Sequence, residues 1–339
     1  MKLQHWVPIK KISWYWLSTN SNAVQLLIEN PDKISWNYLS KNPSDSAIQL
    51  LSENQDKIYW DWLSLNPNAI QLLRENQDKI CWDGLSSNPA AIQLLIENPD
   101  KICWYHLSKN PNASQLLREN QDKISWGGLS ENPNAIQLLR ENQDKLNWTI
   151  LSLNPNAIQL LSENQDKINW DWLSKNPSDG AIQLLRENPY RINWFYLSRN
   201  STDGAIQLLR DNQDKINWYH LSKNPNAIQL LRENQDKINW TCLSKNPNAV
   251  QLLRENQDKI LWAYLSENSS CDAIQLLREN PDKINWDYLS KYPNIFTYDY
   301  EKIKQINLEK NKAVIEKVFH PSNMDKWIKW GIEDWEDIE

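Results

Sequence analysis

Apolar and polar residues along this chain fall into short alternating blocks. Ala69, Ile70, Leu72 and Leu73 form an apolar block, residues 74–79 a charged and amide-rich one, and Ile80, Trp82 and Leu85 a sparser apolar set. The first block covers one face of a 3.6-residue helix while Gln71, Arg74 and Glu75 point elsewhere, which predicts a short amphipathic helix. Asn66 suits its N-cap, Pro67 fits the first helical position, and Asn76 is placed to end it as a left-handed residue. Ile80, Trp82 and Leu85 are spaced by two and then three, so Ile80 falls off the face of any helix that carries the other two, and the chain must break between Ile80 and Trp82. A second, very short helix opened by the tryptophan follows, capped by the Ser or Asn that precedes nine of thirteen such tryptophans. Ile238 before the cap and Leu243 inside the helix then form a hydrophobic staple. Tyr59, Cys81, Cys103 and Leu261 stand at the cap position instead, so those helices are expected to begin less sharply.

This pattern recurs. Trp14, Trp36, Trp60, Trp82, Trp104, Trp126, Trp148, Trp170, Trp194, Trp218, Trp240, Trp262 and Trp286 follow one another at intervals of 22 or 24 residues. A unit this short cannot bury its own apolar face, so each must complete the core of its neighbour. Strands are a poor alternative, because nothing alternates polar and apolar over several residues and Asn-Pro steps recur throughout. The expected fold is all-α: an α-solenoid of about twelve short two-helix repeats with a helical C-terminal cap. Four units carry two extra residues, between 42 and 47, 176 and 181, 200 and 205, and 268 and 273, expected to lengthen a loop on one edge of the stack. Twelve intervals of about 8–10 Å predict a curved rod on the order of 100 Å.

The boundaries read as an N-terminal capping half-unit over residues 1–11, the solenoid over 12–291, and a helical C-terminal cap or docking module over 292–339. In the last, a helix is expected over 299–319 with Ile303, Ile306, Val314, Ile315, Val318 and Phe319 as apolar contacts. Pro321 stops it, Ser322 caps a final helix carrying Trp327, Ile328 and Trp330, and Gly331 ends that helix before an acidic tail.

Composition narrows the function classes. The 37 basic and 43 acidic residues alternate within units, as in Arg74, Glu75, Asp78 and Lys79, and form no basic stripe. That argues against nucleic acid as the main ligand and leaves a nucleic-acid-binding helical repeat as the weakest alternative. The recurrent Asp-Lys pair, as at Asp122 and Lys123, reads as turn chemistry and surface charge, replaceable by Tyr190-Arg191. The Gln of each Ile-Gln-Leu-Leu segment reads as a polar stripe, or as a ladder of stacked amides. The opening residues resemble no secretory signal and no run of about 18 apolar residues exists, so an intracellular protein without a membrane span is expected. Cys81 and Cys103 sit one repeat apart, too far for a disulfide, and the four cysteines read as free thiols of a reducing compartment.

Six glycines offer no phosphate-cradling loop, and neither G-x-S-x-G nor H-E-x-x-H occurs, so no catalytic site and no cofactor are expected. The nearest approach to a metal cluster is Cys103 with His106, and Cys81 one unit earlier. Two of these three stand at cap positions, and the group reads as cap substitutes, with no metal site. The second residue after each core tryptophan varies from unit to unit. Its members Trp16, Tyr38, Trp62, His106, Trp172, Tyr196, His220, Tyr264 and Tyr288 are the candidate binding residues for a protein or peptide partner, because Trp and Tyr are favoured anchors at interfaces. The competing reading packs these rings between adjacent turns.

The unit N-P-N-A-I-Q-L-L-x-E-N-Q-D-K-I-N-W-x-x-L-S and the ending Phe319-His320-Pro321-Ser322-Asn323-Met324-Asp325-Lys326-Trp327 resemble tandem-repeat proteins of large nucleocytoplasmic DNA viruses, of the mimivirus and chlorovirus kind. The resemblance spans nearly the whole chain. It implies a viral product in the host cytoplasm or the virion. A fainter likeness to ankyrin repeats fails on the period, which is 33 residues there. The expected function is a noncatalytic repeat scaffold for protein–protein interaction in the infected cell. The alternative is a virion structural component, a minor capsid or tegument-like rod.

Overall fold

A computed structural model describes residues 1–318, and within them the expected two-helix unit recurs from end to end. In one unit a 3-10 turn, Pro67–Ala69, runs into the leucine helix Ile70–Glu75; a second 3-10 turn, Gln77–Lys79, leads to the tryptophan helix Trp82–Ser87. Asn66 caps the first turn, its side-chain oxygen accepting from the Asn68 N–H at 3.1 Å. Asn76 ends the leucine helix by another route than expected. Its φ is −132°, outside the left-handed region, and its amide donates back to the Leu72 carbonyl at 3.0 Å. The side chain thus takes up a carbonyl that the helix end would leave orphaned. Before the tryptophan helices, Asn147, Asn169, Asn193, Asn217, Asn239 and Asn285 cap as expected, whereas Ser13, Ser35 and Ser125 make no side-chain cap bond.

Leu, Ala and Ile residues from both helices form one continuous core, and the tryptophans pack against it half-buried. Ile238 and Leu243, the expected staple, are both buried. Over most of these rings lies a cation from the next unit: Lys123 Nζ is 4.9 Å from the Trp104 ring centre, Lys145 4.8 Å from Trp126, and Lys167 4.7 Å from Trp148. The recurrent lysine is therefore more than turn chemistry. Where Tyr190-Arg191 replaces Asp-Lys, Arg191 still covers Trp170.

A buried polar ladder joins the units. The Ser86 hydroxyl donates to its own Trp82 carbonyl at 2.8 Å and accepts the Cys103 backbone N–H of the next unit at 3.0 Å. Asn110 donates to the Ser86 and Asn88 carbonyls at 3.0 Å each, while its oxygen accepts the Asn112 N–H. The same bonds repeat along the chain, and among the described residues no buried side-chain polar atom lacks a partner. The Gln residues make no such ladder; Gln93 donates to Glu97 within its own helix.

The two ends of the stack meet. The Ser13 N–H donates to the Ser290 hydroxyl at 2.8 Å, Asn20 donates to the Tyr292 carbonyl at 2.9 Å and to Ser290, and Asn22 reaches the Pro293 carbonyl. They are bonds of the same kinds that join internal units, made here between the last tryptophan helix and the first. The array is a closed ring, not the expected rod. Residues 1–11 and 292–297, expected to cap opposite ends, supply the halves of one repeat. Pro293–Ile295 forms the opening 3-10 turn, with buried Ile295 in place of the usual Ala. Phe296–Thr297 then pairs antiparallel with Lys2–Leu3 where other units have a leucine helix. Lys11 N–H to Pro8 O, at 2.9 Å, repeats the closing turn seen at Lys33 and Asn30, and Ile12 is buried as Ile34 is. Trp6 lies beside Trp286, ring centres 6.0 Å apart, where a lysine would stand elsewhere.

The two-residue insertions do not lengthen a loop. They replace the 3-10 turn with an extra turn of α-helix, giving Asp45–Ser52, Asp179–Glu187, Asp203–Asp211 and Cys271–Arg278, each capped by Ser44, Ser178, Thr202 or Ser270. After the ring, the helix Tyr300–Val318 leaves Ile303, Ile306 and Val314 exposed. The expected contacts of Phe319, Trp327, Ile328 and Trp330, and the stop at Pro321, lie outside the described residues.

Candidate functional site

Neighbouring tryptophan helices approach backbone to backbone. A Cβ placed on Gly128 would lie 3.1 Å from the Tyr105 carbonyl oxygen and 3.2 Å from Ser108 Cβ of the preceding unit. Neighbouring leucine helices are instead bridged by long side chains: Arg74 to Glu97, Arg140 to Glu163, Arg210 to Glu233 and Arg254 to Glu279. A closed ring places its most tightly spaced elements on the shorter, inner circumference. The tryptophan helices therefore line the inside and the leucine helices the outside.

Of the nine candidate residues, Trp16, Tyr38, His106, Trp172, Tyr196, His220 and Tyr264 are half-buried. The rings of Trp172 and Tyr196 stack at 5.6 Å, and the His220 ring meets the edge of Phe195 at 4.4 Å. Burial there, with Arg199 and Lys223 nearby, pushes the His220 imidazole below the usual histidine range. At the same position Gly128 and Cys242 are buried, and burial raises the Cys242 thiol. This row packs largely between adjacent units; only Trp62, at 42%, and Tyr288, at 38%, are exposed among the nine. Lys41 sits 3.3 Å above the Trp62 ring centre.

The more exposed row is one residue earlier. Tyr15, Tyr105, Phe195 and Tyr219, directly after their tryptophans, are 43–52% exposed, and Asp61, Asp83, Asp171 and Asp287 share the position. With Trp and Leu three apart in a helix, the core lies midway between them, and the first and second residues after Trp stand about equally far from it on the helical wheel. The sequence pattern of one unit leaves the two rows equivalent. The neighbouring unit distinguishes them, because it packs against the second row.

Among the described residues, one group of metal-ligating side chains comes together here. Ligand atoms of Asp83, Cys103 and His106 all lie within 4.8 Å of one another, and Cys81 is not among them. Burial and the Asp83 carboxylate raise the Cys103 thiol, while the backbone N–H groups of His106 and Tyr105 act in the opposite direction. Compared with family models, curated proteins and solved structures, the chain matches none.

Proposed function

We propose that the protein is a noncatalytic ring scaffold that holds a protein or peptide partner against its inner, tryptophan-helix face. The observation that carries this reading is the exposed row Tyr15, Tyr105, Phe195 and Tyr219, which varies among units whose core positions barely change. Large rings held on a rigid frame supply contact area at little entropic cost, and such residues dominate binding energy at interfaces. Trp62 and Tyr288 extend the contact strip. Thirteen helices spaced about 8 Å apart, less roughly 5 Å of helix radius on each side, leave an opening of roughly 20 Å, wide enough for an α-helix. The resemblance to repeat proteins of large DNA viruses supports a place for this binding in an infected cell. A virion rod fits less well, because the described ring leaves no open repeat face for end-to-end stacking.

Replacing Tyr15, Phe195 and Tyr219 together by Thr, the residue at 149 and 241 in the same row, tests the reading. Proximity labelling in infected cells with wild-type and variant rings should show a discrete partner set that the variant loses while it remains folded, its melting temperature lowered only by the lost contacts of Phe195 with His220 and Tyr15 with Tyr38. An identical partner set for both proteins contradicts it.

A further inference from the structure

We propose that Asp83, Cys103 and His106 form a zinc-class metal site on the inner face of the ring, with a carboxylate, a thiolate and an imidazole as ligands and a fourth position open to solvent. The three donors span one junction. Asp83 follows Trp82 of one unit, Cys103 is the residue before Trp104 of the next, and His106 is two residues after it. All three reach one small volume, their ligand atoms within 4.8 Å of one another. Tetrahedral zinc with Zn–S of about 2.3 Å and Zn–N or Zn–O of about 2.0–2.1 Å sets its donor atoms about 3.3–3.6 Å apart. Side-chain rotation on the order of 1 Å closes that gap.

The rest of the ring shows what this junction would be without a metal. Asp171 occupies the position of Asp83, and there the next unit's cap residue, Asn193, donates its amide to the carboxylate at 2.7 Å. Cys103 replaces that strong donor with a weak S–H. Carboxylate, thiol and imidazole then converge with no amide to bridge them, and each of the three offers a lone pair that a divalent cation can take up. Other junctions hold only part of the set. Asp61 and Cys81 stand at the corresponding positions one unit earlier, but Gly84 occupies the place of His106. His220 stands at that place further on, but its neighbours are Asn217 and Phe195. Among the described residues the complete set occurs once. Zinc binding replaces the thiol proton, which leaves to solvent.

The repeat itself supplies benign substitutions for the test: Ser stands at the Cys103 position in Ser13, Ser35 and Ser125, Tyr at the His106 position in Tyr38 and Tyr196, and Thr at the Asp83 position in Thr149 and Thr241. The full chain, stripped with chelator, is titrated with Co2+ and then with Zn2+. The expected result is a near-ultraviolet thiolate-to-cobalt band with tetrahedral visible absorption, displaced by Zn2+. Cys103→Ser abolishes the band. His106→Tyr and Asp83→Thr each weaken cobalt binding by at least about tenfold, the scale lost even with an outer-shell partner, and Cys81→Ser changes nothing. No band in the wild type, or a band that survives Cys103→Ser, overturns the proposal. A second readout needs no variant: alkylation of Cys103, followed by mass spectrometry, should be suppressed by Zn2+ while that of Cys81 is not, and equal alkylation of both with and without zinc also overturns it.

Discussion

Asn132 is buried, donates to the Ser108 and Asn110 carbonyls at 3.2 and 2.8 Å, and accepts the Asn134 N–H. Asn132→Ala leaves these backbone groups buried and unpaired, at a cost of about 1–3 kcal/mol in urea unfolding; a change under a few tenths would mean that the ladder is ornamental. Lys167→Ala, which uncovers the Trp148 ring, should cost only about 0.5–1 kcal/mol, and Trp148→Ala about 3 kcal/mol, since the indole is half-buried. The apolar roles were legible residue by residue, because Leu and Ala positions follow helical period. The buried Ser-Asn ladder was not. Its residues look like surface caps until a neighbouring unit is present to receive their bonds, and the lysine over most of the tryptophans likewise belongs to the next unit.

At the scale of the element, Gly180 and Gly204 sit in inserted helical turns pressed by the preceding unit: a Cβ there would lie 2.6 and 2.9 Å from Cγ2 of Ile158 and Ile182. In the other two long units the same position is Ser46 or Asp272, and the facing residue is Val24 or Val250. Gly180→Ser should therefore destabilise by about 1–3 kcal/mol through overpacking, and Ile158→Leu in the same protein, which removes the Cγ2 branch, should recover part of it. Equal melting of the single and double variants would break this pairing. On the outer face, Arg232 and then Gln251 hold the Glu255 carboxyl below its ordinary range, and Arg210 and Gln229 do the same for Glu233. A lowered carboxylate pKa contributes stability that is fully present above the unfolded value and lost as pH falls through the folded one. Thermal stability should thus decline as pH drops through and below the carboxylate range, less steeply in Arg210→Gln/Arg232→Gln. Parallel pH profiles for the variant and the wild type would show that these exposed pairs contribute nothing. The places of the insertions were visible in the spacing. Their outcome, an added helical turn, depended on Ser44, Ser178, Thr202 and Ser270 acting as caps, which the loop reading overlooked.

For the whole molecule, closure is the feature that one repeat cannot reveal, since it follows from a small rotation accumulated over every junction. The ends did carry a signal. Lys11-Ile12-Ser13-Trp14 matches the close of a unit and Pro293-Asn294-Ile295 its opening, so two fragments that read as separate caps add up to one repeat. Deleting residues 1–12 should expose the core around Ile295 and Phe296 and the face of the first unit, lowering the melting temperature and producing concentration-dependent oligomers in sedimentation. The most direct measurement uses the native chain. Lys2 Nζ lies 2.9 Å from the Asp299 carboxylate, so zero-length carbodiimide coupling should join residues 2 and 299 by an amide, detected by mass spectrometry in the monomer fraction. Ring closure predicts that cross-link within single chains; its absence from monomers, or its appearance only in dimers, would contradict the closed ring.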